Sequence, residues 1–168
     1  ICYDLFEYMS EVFRGQGSSE QELIQKILGA VEFIFYHELG HALIDTFEIP
    51  FTGRQEDAVD QFSSILLLNQ GKAESALAGA SFFVSGSGGG QTPYWDEHSL
   101  DEQRFYDIVR LVFGSNPEAY SNLIQREAVF GIGGGEGILP KKRAARCPTN
   151  FKEIDKSWNR LIEAYVPS

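Results

Sequence analysis

Two histidines four residues apart, with a glutamate beside the first, stand in "FIFYHELGHALID", Phe33 to Asp45. The chain holds three histidines in all, so this pair concentrates a scarce residue type. On an α-helix, positions four apart are offset by about 40° and rise about 6 Å. His37 and His41 would project from one face, where both imidazoles can reach one ion at about 2.0–2.1 Å. Imidazole is a good zinc ligand when neutral, and a reference pKa of about 6.5 leaves it largely uncharged at pH 7. Glu38, one step around the helix, cannot easily share that ion but can reach a water beside it. Two ligands and one general base is the division of labour in an HExxH pattern.

A catalytic zinc site takes three protein ligands and keeps one position open. No other histidine or cysteine lies close in sequence, so a carboxylate is the natural third ligand. "RQEDAVD" follows a turn marked by Pro50 and Gly53. If the chain runs back antiparallel there, Glu56 approaches the histidine pair. Asp60, four residues further on the same face, is placed to orient a ligand histidine through its free N–H. Asp57 is the rival third ligand, only one residue from Glu56 but about 100° around the helix. Gly40 lies inside the motif, where a missing side chain permits close approach of a neighbouring element or of substrate.

The elements that must position these groups read as helices. Phe33, Ile34, Phe35, Tyr36, Leu39, Ala42, Leu43, Ile44 and Phe47 make the motif helix apolar nearly all round, the mark of a buried helix. Buried histidines and carboxylates are costly unless something satisfies them, and a metal does so. Ser19 with Glu22 forms a capping box ahead of this run, and Gly29 is a point at which it could divide. Helices are predicted over "QEDAVDQFSSILLL", over "AESALAGASFFV", and over "LDEQRFYDIVRLVF" behind a Ser99–Glu102 cap. A short one opens at Pro117 and runs through Gln125, and a last one, "FKEIDKSWNRLIEAY", begins at Asn150 with Glu153. "ICYDLFEY" has strand character, so the expected class is mainly α (α+β), with a small N-terminal sheet, in one domain over residues 1–168. "SGSGGGQ" (Ser85 to Gln91) and "GIGGGEG" (Gly131 to Gly137) complete no phosphate-binding motif and read as surface loops.

Composition narrows the function classes. Acidic residues outnumber basic ones by 24 to 14, which argues against a nucleic-acid partner or an anionic membrane surface. The longest apolar run, Val31 to Leu43, is interrupted by Glu32, His37, Glu38 and His41, so no membrane span is expected. A start at Ile1 rather than Met suggests a processed form or an excised piece. Cys2 and Cys147 make no CxxC pair; an even count, one near each end, suggests a disulfide and a periplasmic or secreted location.

Four segments, "HELGHALID", "GRQEDAVDQF", "DEHSLDEQRFYDIV" and "LPKKRAARC", lie in this order over residues 37 to 147. HELGH followed by a helix of form ExxxD resembles the glutamate-ligand zincins; Phe47 occupies the position where a metzincin would have its third histidine. The ordered set more specifically resembles a mostly bacterial group of metallopeptidase-like proteins, domain of unknown function 4344. That resemblance implies a zincin-like fold and a zinc metallopeptidase acting on a peptide or protein, without naming the substrate. With the ligands read above, Zn²⁺ is expected on His37, His41 and Glu56, with Glu38 as general base. Alternatives are a non-catalytic metal-binding module and a zinc amidase acting on a non-peptide amide.

His98 precedes a helix and sits in the third of those segments. It is a candidate donor to the oxyanion, against a local hydrogen-bonding role at the helix entry. Tyr94 and Tyr106 are alternates for the same task. Lys141 to Arg146 reads as a solvated basic face, Asp45 as an exposed helix-end acid, and Trp95 and Trp158 as core.

Overall fold

A computed structural model of the chain describes residues 3–86, 100–124 and 138–165. Among them, α1 spans Tyr3–Arg14, α2 Glu20–Phe47, α3 Gln55–Asn69, α4 Ala73–Gly86 and α5 Asp101–Ser115. A 3₁₀ turn at Ser121–Leu123 precedes α6, Lys141–Ala144, and α7, Cys147–Ile162. No strand occurs among the described residues, so the class is mainly α without the expected N-terminal sheet. The reason lies in the spacing of the apolar side chains. Leu5, Met9, Val12 and Phe13 fall at i, i+4, i+7 and i+8, and all join the cluster under α2 and α4. Eight residues of "ICYDLFEY" were too short a window to show that period.

The Ser19 capping box forms. Ser19 N–H donates to Glu22 Oε2 at 2.9 Å, and Glu22 N–H donates to Ser19 Oγ at 3.4 Å. From there α2 runs unbroken for 28 residues. Gly29 does not divide it; a Cβ at that position would lie 3.0 Å from both Ala78 Cβ and Ser75 Cα, so the glycine serves the approach of α4. As one element, α2 is long and apolar enough, by length and composition, to cross a membrane. Glu32, His37, Glu38 and His41 interrupt the apolar run, so only the average along the helix, not an unbroken stretch, meets that condition. In this structure α2 packs against α1, α3 and α4.

The chain leaves α2 through Glu48, in the left-handed region at φ 50°, and turns again at Gly53, φ 89°. It returns as α3, antiparallel to α2. Three levels of contact fix the register. Ser63 Oγ donates to the Phe33 carbonyl at 2.7 Å, Asp60 meets His37, and Glu56 meets His41. At Gly40 an added Cβ would stand 2.9 Å from Val59 Cγ1 and 3.0 Å from Phe62 Cδ1, so the two helix backbones are as close there as their side chains permit. Below this level Ile44, Ile49, Val59, Phe62 and Trp158 form a buried cluster, with the Phe62 and Trp158 rings 4.8 Å apart. Trp158 is core, as read from the sequence.

The remaining helices back this pair. α4 brings small residues, Ser75, Ala78 and Gly79, against Gly29 and Phe33 of α2, and α5 packs on α4 and α3. α7 starts at Cys147, three residues before Asn150, with Pro148 in its first turn, where a missing N–H does no harm. The stretch after Pro117 is a turn and a 3₁₀ helix rather than an α-helix; Gln125 lies outside the described residues. So do Ser99, the second glycine-rich stretch and most of the first. Cys147 is a buried free thiol whose Sγ–H points at the Arg143 carbonyl, 3.3 Å away. Cys2, its expected disulfide partner, lies outside the described residues.

Candidate metal centre

Three side chains converge where α2 and α3 meet. His37 Nε2 lies 3.2 Å from His41 Nε2 and 3.2 Å from Glu56 Oε2, and His41 Nε2 lies 3.2 Å from Glu56 Oε1. These ligand atoms all fall within 4.8 Å of one another, a group able to hold a metal ion. Bonds of about 2.0–2.1 Å in a tetrahedral site put neighbouring donors about 3.3 Å apart. The observed edges match that spacing. Two nitrogens and a carboxylate are also a donor set that suits zinc.

Hydrogen bonding sets the tautomer of His37. Its Nδ1 lies 2.8 Å from Asp60 Oδ1, and an ionised carboxylate only accepts, so Nδ1 carries the proton. In the neutral ring the lone pair is then on Nε2, the nitrogen facing His41 and Glu56. That face sets a lone pair towards a carboxylate oxygen, an arrangement that a cation between them, or a proton, would relieve.

Asp60 is itself held. Arg104 of α5 donates from Nε to Oδ2 at 2.8 Å and from Nη2 to Oδ1 at 2.9 Å. Burial pushes the Asp60 carboxyl up, but hydrogen bonds from His37 and Arg104 and the Arg104 charge outweigh it and hold its pKa below the ordinary carboxylate value. The Arg104 guanidinium carbon sits 3.7 Å from the centre of the Phe83 ring. The sequence reading did not single out Arg104. A signal was present: it lies in phase with Ile108 and Leu111 on the buried stripe of α5, and a charge on such a stripe requires a partner.

Of the two rival acids, Glu56 faces the histidines, with its side chain 13 % exposed. Asp57 instead lines a small cavity with Asp60, Arg104, Asp107 and Leu111, towards α5. Burial pushes the Asp107 carboxyl above its ordinary value and the Asp57 charge adds to this, against the pull of Arg110. Glu38 is exposed, three residues before His41 and so about 60° around the helix from it. Tyr106 is 46 % exposed and two positions from Arg104, so it faces away from the Asp60 contact. Asp45, Lys141, Lys142 and Arg146 are exposed, as expected for a helix-end acid and a solvated basic face. His98, Tyr94 and Trp95 lie outside the described residues.

Residues 1–162 match the family model of domain of unknown function 4344, described as "Putative metallopeptidase". The chain belongs to this family. Comparison with curated proteins and with solved structures returns no match.

Proposed function

We propose that the protein is a zinc-dependent metallopeptidase with a zincin-like pairing of the HExxH helix and a carboxylate-bearing helix. The observation that carries this reading is the triangle of His37, His41 and Glu56, with edges of 3.2 Å and an exposed glutamate alongside. Family membership supports it independently. His37, His41 and Glu56 would hold the ion. A bound Zn²⁺ supplies Lewis acidity, polarising a carbonyl and lowering the pKa of water towards about 7.

The chain's own groups do the rest. Asp60 fixes the His37 ring so that Nε2 offers its lone pair. Glu38 accepts a proton from the attacking water as the new C–O bond forms, and delivers it to the amide nitrogen as the C–N bond breaks. Its exposure suits a group that must meet water and substrate rather than the ion. His98 is the remaining imidazole available to donate to the carbonyl oxygen as charge develops there.

Glu38→Gln tests the assignment. Zinc content, read by metal analysis of the purified protein, should stay near that of the wild type, while hydrolysis of a peptide library falls by about 10²–10⁴-fold. Unchanged hydrolysis would remove Glu38 from the mechanism. A wild type that binds zinc and cleaves nothing would favour a metal-binding module without catalysis.

A further inference from the structure

We propose that Arg104 is a positioning residue for the metal centre, acting through Asp60 on His37. The inference rests on the metal-binding part of the reading above. Asp60 has two oxygens and three close donors: Arg104 takes both oxygens with its fork, and His37 shares Oδ1. A planar fork on both oxygens fixes the carboxylate plane as a single hydrogen bond cannot. With the plane fixed, the direction from Oδ1 to His37 Nδ1 is fixed, and so is the aim of Nε2. Arg104 and Asp60 side chains are each 8 % exposed, so water has little room to take over the restraint.

The restraint extends to a fourth helix. Phe83 of α4 lies under the guanidinium face at 3.7 Å and stands edge-on to Phe33 of α2, ring centres 5.7 Å apart. Phe83, Arg104, Asp60 and His37 thus come one each from α4, α5, α3 and α2. A residue that tied helices together without aiming the imidazole would affect stability alone. A positioning role requires that the loss appear in metal affinity and that it vanish when Asp60 can no longer pass it on.

The test is a double-mutant cycle on the full-length, metal-free chain, titrated with Zn²⁺ in competition with a chromophoric chelator. Arg104→Met and Asp60→Asn are each expected to weaken Zn²⁺ binding by about 10–100-fold, the usual effect of losing a partner behind a metal ligand. The double variant should bind no more weakly than Asp60→Asn alone. Arg104→Lys keeps the charge and loses the fork, so it should stay about tenfold weaker than wild type. Wild-type affinity in Arg104→Met or in Arg104→Lys, or fully additive losses in the double variant, would overturn the proposal. If Arg104→Met does not fold, Arg104→Lys and its combination with Asp60→Asn complete the same cycle. A wild type that binds no zinc defeats the metal reading and this inference together, whereas tight wild-type binding with unaffected Arg104 variants defeats this inference alone.

Discussion

Glu56 and Asp57 are neighbours of nearly the same chemistry, and their fates differ because a helix turns about 100° per residue. Glu56 closes a triangle with two imidazoles; Asp57 turns to α5. Glu56→Ala is therefore expected to weaken Zn²⁺ binding well beyond the 10–100-fold of an outer partner. Asp57→Ala should stay within a few-fold of wild type. Competition with a chelator of known affinity measures both, and the reverse ranking would reassign the third ligand. At this scale the sequence was informative where spacing carries geometry: one turn separates His37 from His41, and one turn separates Glu56 from Asp60. Arg104 was harder to see because its partner is 44 positions away and no local pattern announces it.

At the scale of elements, the site depends on how closely α2 and α3 approach. Gly40 sets that approach against Val59 and Phe62. Gly40→Ala gains about 1 kcal/mol of helix propensity but overpacks the contact, at a cost of about 1–3 kcal/mol. The net effect should be neutral to a loss of about 2 kcal/mol in urea unfolding, accompanied by weaker zinc binding as His41 and Glu56 part. Undiminished zinc affinity would mean that the helix spacing is not critical to the site. Helix existence was legible throughout α2 to α5, since apolar patterning is local; of the two predicted caps, that at Ser19 forms, whereas α5 starts one residue later than a Ser99 cap would set it, after Leu100. Two of the departures, the strand at the N-terminus and the break at Gly29, come from patterns that are ambiguous locally. A short apolar window looks the same in both periods, and a glycine placed for a neighbouring helix looks the same as one placed for a turn.

For the whole molecule, the two histidines and Glu56 lie on helices that also carry the core, so metal and fold should be thermodynamically linked. An ion that binds only the folded chain, present at about 1,000 times its Kd, adds about 4 kcal/mol of stability. For a chain of this size that corresponds to a rise in Tm of roughly 10 °C. Scanning calorimetry with Zn²⁺ and after chelation measures it, and no shift would mean that the ion is not held by the native arrangement. The sequence could suggest that a metal belongs here. It could not show that α4 and α5, which supply no ligand, stand behind the site through Phe83 and Arg104.

The three converging side chains are not equally open to water: His37 is 8 % exposed, Glu56 13 % and His41 25 %. Asp60 and Arg104 seal the rear. A cation reaching these three side chains from solvent would find His41 the most open of them and His37 the least. On the proposed peptidase reading, substrate would approach from that same side, where Glu38 is exposed.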